Sequence, residues 1–150
     1  YGRRTVGAPL PNSTLLTKSA ARRHNAVADV DQKQLFRSME AGNVFVTLYT
    51  SWCPNCVAWL MEGGSLDELE RMVKDKKLSG KVELLKINID DIDKETEMVL
   101  LDAGFECWFV PGLFAVKQGS RPTIYEGTSL DHPSTIFSWM LGTLGIPQEV

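Results

Sequence analysis

The sequence WCPNC at residues 52–56 constrains the fold of this chain more than any other feature. It follows VFVTLYT at 44–50, an apolar, β-branched and aromatic segment that predicts a buried strand. Pro54 stands directly after the first cysteine, and proline suits the first turn of a helix, where its missing N–H costs nothing. The pattern therefore predicts a strand, a short turn and a helix that begins at Cys53.

Two cysteines separated by two residues fit a redox centre, half of a metal site or a structural disulfide. At a helix start the unpaired N–H groups favour the thiolate of Cys53, and thiolate is the species that attacks disulfides. Cys56, one turn later, can then resolve a mixed disulfide. A metal site needs four ligands, and the chain adds only Cys107, His24 and His132. The setting between a strand and a helix favours the redox centre, and we predict no metal.

Apolar periodicity and turn residues predict the order β-α-β-α-β-α-β-β-α. The short connection between the last two strands predicts an antiparallel hairpin. The expected fold class is therefore α/β, with a mixed sheet that is parallel at first and helices on both faces. SLDE at 65–68 predicts a capping box that restarts a helix after a break at Gly63 and Gly64. The predicted strands are 26–30, 44–50, 81–90, 112–119 and 122–127, and the predicted helices are 31–43, 53–78, 94–104 and 132–144.

The charge of the chain is unevenly distributed. The net charge is −3, but residues 1–28 contain five basic and no acidic residues, which leaves 11 basic and 19 acidic residues in the remainder. An acidic body argues against nucleic-acid binding, and no apolar run is long enough to predict a membrane span. We expect residues 1–25 to be a basic, flexible arm or the tail of an organelle-targeting segment. Residues 26–150 form the predicted domain.

Three segments of the sequence resemble the thioredoxin family. FVTLYTSWCPNC at 45–56 resembles its strand and Trp-Cys-x-x-Cys motif, LLKINID at 84–90 its next strand, and VPGLFAVKQG at 110–119 the segment that begins with its cis-proline. The resemblance covers about residues 27–145. It implies a thioredoxin fold and a thiol–disulfide oxidoreductase that acts on protein substrates without a cofactor.

The resemblance assigns roles to the cysteine pair and its spacer. Cys53 would be the nucleophile and Cys56 the resolving cysteine. The spacer Pro54-Asn55 differs from the Gly-Pro or Gly-His that is usual in thioredoxins and disulfide isomerases. Val57 follows the second cysteine, where the family often has a basic residue.

The resemblance also predicts a substrate groove beside the pair. Pro111 would be cis and would pack against the cysteines, while Val110 would offer backbone groups to an extended substrate strand. Trp52 and Gly127 would line the groove. Phe109 replaces the threonine that helps glutaredoxins to hold glutathione, so we predict no glutathione binding.

One departure from the family bears on mechanism. The strand position six residues before the first cysteine usually carries a buried Asp or Glu, which is thought to take the proton from the resolving cysteine. Here that position is Thr47, whose hydroxyl is no base near neutral pH. Resolution by Cys56 is therefore expected to be slow or to use water.

An interaction module is the alternative function, with clients held on an aromatic rim of Phe105, Trp108 and Phe109 and the cysteines secondary. Cys107 is either a buried thiol or a regulatory thiol near the site. The predicted partners are proteins with disulfides or thiols and an electron donor of the thioredoxin-reductase type, and we expect a monomer. An organelle or the secretory pathway (plastid, mitochondrion or endoplasmic reticulum) is the predicted location, with the cytoplasm as the alternative.

Overall fold

The computed structural model describes residues 25–90, 92–127 and 130–147, which form five strands and five helices. The predicted arm lies outside these residues except for Asn25, so the division into arm and domain stays a prediction. The elements are β1 (Ala28–Asp29), α1 (Gln32–Ala41), β2 (Val44–Tyr49), α2 (Pro54–Leu60), α3 (Ser65–Asp75), β3 (Glu83–Asn88), α4 (Lys94–Asp102), β4 (Gly112–Val116), β5 (Thr123–Ile124) and α5 (Pro133–Leu144).

The five strands form one mixed sheet in the order β1-β3-β2-β4-β5. β1, β3 and β2 run parallel, whereas β4 is antiparallel to β2 and β5 is antiparallel to β4. All six residues of the central strand β2 are buried, as expected for an apolar strand with neighbours on both sides. The predicted α/β class and the antiparallel closing hairpin are confirmed.

Alternation along β2 gives the sheet two different faces. Val44, Val46 and Leu48 belong to an entirely apolar core with residues of α1 and α4, and we call this side the apolar face. Phe45 and Tyr49 belong to a second core, built with α2, α3 and α5. This second side contains both cysteines of WCPNC, and we call it the cysteine face.

The predicted break between the second and third helices is confirmed, but its predicted cap is wrong. Gly63 has φ of +84°, a conformation that favours glycine. The N-cap of α3 is Gly64, not Ser65, and it makes no side-chain cap bond. Instead, the Asp67 carboxylate accepts a hydrogen bond of 2.8 Å from the N–H of Gly63. The N–H of Glu68, which the predicted box paired with the Ser65 hydroxyl, instead donates to the Gly64 carbonyl at 3.0 Å.

All five predicted strands are too long, β2 by one residue and β3 by four, since β3 covers only Glu83–Asn88. β1 has two residues instead of five, β4 ends at Val116, and β5 again has only two residues. β5 begins after Pro122, which has no N–H to donate to a ladder. The helix predicted to reach Gly104 ends at Asp102, and Gly104 has φ of +104°. Among the described helices, none combines the length and the apolar character needed to cross a membrane.

Candidate active site

Cys53 lies at the point where the chain passes from the sheet into α2. It is the N-cap residue of the helix, with extended backbone, and Pro54 occupies the first helical turn as predicted. The preceding loop is tied down by Asp90, whose carboxylate accepts hydrogen bonds from the N–H and the hydroxyl of Ser51. These contacts hold the first cysteine at the edge of the sheet where the parallel strands end.

The loop before β4 packs against this cysteine. The Val110–Pro111 peptide bond is cis, as the resemblance implied. The Cys53 thiol donates a long hydrogen bond of 3.7 Å to the Val110 carbonyl oxygen. Cys53 keeps 8% of its surface exposed. The sulfur thus lies against the proline loop, in a residue that keeps little exposed surface.

Cys56 lies below Cys53 and is fully buried. Both are free thiols in this structure. Burial raises the pKa of Cys56 to about 12, and the adjacent Cys53 also raises it, while the backbone and hydroxyl of Thr50 lower it. Within the described part of the chain, the buried Thr50 hydroxyl oxygen has no hydrogen-bond partner of normal geometry. The two sulfurs therefore differ in access, since the first opens to the surface and the second faces the core.

Thr47 lies on the cysteine face with no exposed surface. Its hydroxyl oxygen accepts a hydrogen bond of 3.1 Å from the indole Nε1 of Trp59. Trp59 follows Cys56 by three residues on α2, so both side chains project from the same side of the helix. The strand position where a buried base was considered thus carries the Thr47 hydroxyl, which is hydrogen-bonded to the Trp59 indole.

Sequence reasoning missed Lys86, which is 2% exposed in β3 and is paired in register with Thr47. Its ammonium faces two oxygens of Asn25, at 3.3 Å from Oδ1 and 3.5 Å from the carbonyl. Burial lowers the pKa of Lys86, and the charges of Asp29 and Glu70 oppose this effect. The available signal was a lysine inside the otherwise apolar run LLKI at 84–87.

A groove of about 300 Å³ opens beside Val110 and Pro111. The structure places Gly127 and Asn55 in its wall but not Trp52, which is half-exposed outside it. A Cβ on Gly127 would collide with the Tyr125 ring and hydroxyl, so any other residue there would have to displace that side chain. The residues that line the groove are Asn55, Phe109, Val110, Pro111, Glu126, Gly127 and Leu130.

The predicted aromatic rim is only partly present. Trp108 is 86% exposed and Phe109 is 50% exposed. Phe105 instead packs into the apolar face, edge-on to Phe114 with ring centroids 5.2 Å apart, so its assignment to the rim was wrong. The two remaining rings, with half-exposed Trp52, leave apolar surface around the mouth of the site.

Cys107 is half-buried behind the proline loop. A Cβ on Gly112 would come within 2.8 Å of its sulfur, so the absence of a side chain at Gly112 makes room for this thiol. Burial raises the pKa of Cys107, the charge of Glu106 adds to the rise, and a backbone hydrogen bond from Phe109 lowers it. These features describe a thiol with little thiolate at neutral pH.

Two other features lie apart from the cysteines. In the described part of the chain, no three or more His, Cys, Asp or Glu side chains form a group that could hold a metal ion. An open recess of about 720 Å³ is larger than the groove, but its walls include Asn43, Glu83 and Ile146 at the opposite end of β2 and β3, whereas the groove is lined by Val110, whose carbonyl contacts the Cys53 sulfur. Among the recesses described here, the groove at Pro111 is thus the one that lies beside Cys53.

The structure resembles solved thioredoxin-type domains. It matches the J-Trx1 fragment of ERdj5 with a TM-score of 0.59 and 15% identity over 79% of this chain and 52% of that one. It matches chloroplastic thioredoxin z with a TM-score of 0.56 and 18% identity over 81% and 96%, respectively. Thioredoxin f from spinach chloroplast gives 0.55 and 17% over 86% and 93%. The chain has a thioredoxin fold.

No family model matches the sequence, and no curated protein matches it. Identities of 15–18% to these thioredoxin-type structures establish the fold and leave the activity to be argued from the site. The chain spans about half of the ERdj5 fragment. In this chain the start of the helix that carries the two cysteines and the loop with the cis Val110–Pro111 bond meet at the same edge of the sheet.

Proposed function

We propose that this domain is a thiol–disulfide oxidoreductase that exchanges disulfides with protein substrates through Cys53 and Cys56. The observation that carries the proposal is the contact of the Cys53 thiol with the carbonyl of Val110, at the mouth of a groove beside the cis-proline. An extended substrate strand in this groove would meet backbone groups at Val110 and present its sulfur to Cys53. Gly127 lines the groove without a side chain that would fill it.

The two cysteines have separate tasks in this mechanism. The Cys53 thiolate attacks one sulfur of the substrate disulfide, and the second substrate sulfur leaves as a thiolate. Cys56 then attacks Cys53, so that the substrate leaves reduced and the pair becomes a disulfide. Proteins with disulfides or thiols are the proposed partners, together with an electron donor of the thioredoxin-reductase type. The reaction needs no cofactor.

Reduction of insulin disulfides tests the proposal. We expect the wild type to reduce insulin and Cys53→Ser to fall to the uncatalysed background. Cys107→Ser is the matched control, since it also removes one partly buried thiol but lies outside the pair. Equal rates for wild type and Cys53→Ser would refute the enzymatic function. Loss of activity in Cys107→Ser alone would mean that the wrong thiol has been assigned.

The direction of exchange depends on the reduction potential of the pair relative to its compartment. A potential near about −270 mV would make the domain a reductase, and one near about −180 mV or above an oxidant or isomerase. For the compartment we propose an organelle or the secretory pathway, because the arm is basic and free of acids and two structural neighbours are chloroplast thioredoxins. The cytoplasm is the alternative, and imaging of the tagged protein decides between them.

A second candidate function is client binding without exchange. The exposed rings of Trp108 and Phe109, together with Trp52, favour it, because large exposed aromatics beside a groove mark interaction surfaces. Binding of reduced, alkylated insulin B chain to the Cys53→Ser/Cys56→Ser variant measures it. A binding module should retain this affinity and lose most of it in Trp108→Ser, whereas an exchange enzyme should bind the alkylated chain weakly throughout.

A further inference from the structure

The proton on the Cys56 thiol bears directly on how a substrate is released from Cys53. Release of a substrate from Cys53 requires Cys56 to become a thiolate, but its sulfur is fully buried and its pKa is raised to about 12, chiefly by burial. At neutral pH this thiol therefore stays almost entirely protonated. The main influences on this thiol are burial, Thr50 and Cys53, and no carboxylate is among them.

Thr47 cannot accept that proton. Its hydroxyl lies under the buried side of α2, where its oxygen already accepts the indole N–H of Trp59. An alcohol is also far too weak a base near neutral pH. Thr47 therefore stabilises the packing of Trp59 and does not activate Cys56.

Lys86 does not fill this role either. It is in register with Thr47, but its Nζ is directed at the two oxygens of Asn25 and acts as a donor there. The charges that act most strongly on it are those of Asp29 and Glu70. Among the residues described in the structure, neither of these two groups can take the proton, which leaves water at the mouth of the site, and Cys56 has no surface exposed to it.

We propose that the domain holds its client as a long-lived mixed disulfide on Cys53, because the attack by Cys56 that would release the client lacks a proton acceptor. This inference rests on the proposed function. The first step forms the Cys53–client bond, breaks the client disulfide and sends a thiolate to solvent, where it gains a proton. Release transfers the proton of Cys56 to hydroxide, forms the Cys53–Cys56 bond, breaks the Cys53–client bond and frees, as a thiolate, the client sulfur that Cys53 had attacked. An external thiol that attacks the mixed disulfide would release the client without Cys56.

The experiment follows the mixed disulfide directly. Reduced protein is mixed with insulin, quenched with acid at successive times and analysed by intact mass. We expect the wild-type adduct to accumulate and to decay about tenfold faster for each pH unit between pH 7 and 9, because hydroxide must remove the proton. A decay rate that is independent of pH would overturn the proposal, as would an adduct that accumulates in Cys56→Ser but never in the wild type.

Substitution at residue 47 supplies the matched comparison. Thr47→Asp should shorten the adduct lifetime at pH 7 by at least about tenfold, since a placed general base contributes roughly 10²–10⁴. Thr47→Asn has the same shape without the base and should not shorten it, and Lys86→Met should leave the lifetime unchanged. Equal lifetimes in the Asp and Asn variants, or a longer one in Lys86→Met, would overturn the proposal.

Two outcomes separate this inference from the function beneath it. If Thr47→Asp does not fold, the pH dependence of the wild-type decay alone decides the inference. If Cys56→Ser accumulates no adduct at all, Cys53 does not exchange, and both the proposed function and this inference fail. Rapid, pH-independent decay of an adduct that does form removes only the inference.

Discussion

The two faces of the sheet bury different kinds of side chain. The core of the apolar face is a hydrophobic cluster in which Val46, Leu85 and Phe114 are nearly or wholly inaccessible. The cysteine face buries Thr47 and Lys86 at the centre of the same strands. Buried polar groups destabilise a fold unless they are paired. Burial of Thr47 and Lys86 therefore requires hydrogen-bond partners on the cysteine face.

The buried polar side chains lie on the same face of the sheet as the two cysteines. Thr47 bonds to Trp59 on the helix that carries Cys56, and Tyr49 donates a 2.7 Å hydrogen bond to Asp29. Among the described strand residues, the buried polar ones are Thr47 and Lys86. One face therefore supplies stability through packing, and the other accepts polar burial around a reactive pair.

Truncation of the apolar face should give the largest change in stability. Phe114 is 1% exposed and meets Phe105 edge-on. Phe114→Ala should lower the free energy of unfolding by about 3–5 kcal/mol, because it removes buried contacts and leaves a cavity. Chemical denaturation measures this loss. Insulin reduction by the folded fraction should persist, and its disappearance would mean that the two faces are not independent.

Removal of the polar contact on the cysteine face should have a smaller effect. Thr47→Val keeps the shape but leaves the buried indole N–H of Trp59 without an acceptor, which should cost about 1–3 kcal/mol. The control Thr47→Ser keeps an acceptor and should leave the indole N–H resonance near its wild-type position. No loss of stability in Thr47→Val would show that this hydrogen bond adds nothing to the cysteine face.

The smallest expected effect is a dependence of stability on alkaline pH. The folded-state pKa of Cys56 is raised above the ordinary thiol value of 9.0 to about 12. The unfolded chain therefore loses this proton first, and the free energy of unfolding of the reduced protein falls as pH rises above about 9. The slope is at most about 1.4 kcal/mol per pH unit.

Two neighbours bear on the same measurement. Tyr49 has a pKa raised by burial and by Asp29, so it adds a fall of the same sign above its ordinary value of 10.0. Lys86 has a lowered pKa and acts in the opposite sense, since its folded form loses the proton first. Comparison with Cys56→Ala between pH 8.5 and 10 isolates the thiol. Parallel curves for the two proteins would contradict the burial of its proton.

The apolar face and the general fold could be predicted from the sequence. The run VFVTLYT identified the central strand, and Pro54 and the glycine pair placed the helix start and the break. These signals are local, so they survive in any tertiary context. The two-residue strands β1 and β5 were overestimated, because the length of an edge strand depends on its neighbour and not on its own residues.

The cysteine face was only half predictable. Cys53, Cys56 and the cis Pro111 followed from motif and resemblance. The Thr47–Trp59 bond and the burial of Lys86 did not, because each joins residues that are distant in sequence through the packing of a helix on a sheet. Phe105 was misplaced for the same reason, since adjacent residues of one loop turned toward opposite environments.

The central claim is that Cys53 is the thiol that meets a substrate. Cys107 is more exposed, but burial raises its pKa and that of Cys56. Brief exposure of the reduced protein to a limiting disulfide peptide at pH 7, followed by acid quenching and peptide mass mapping, identifies the first sulfur to react. The account predicts the first adduct on Cys53. A first adduct on Cys107 or Cys56 would contradict it.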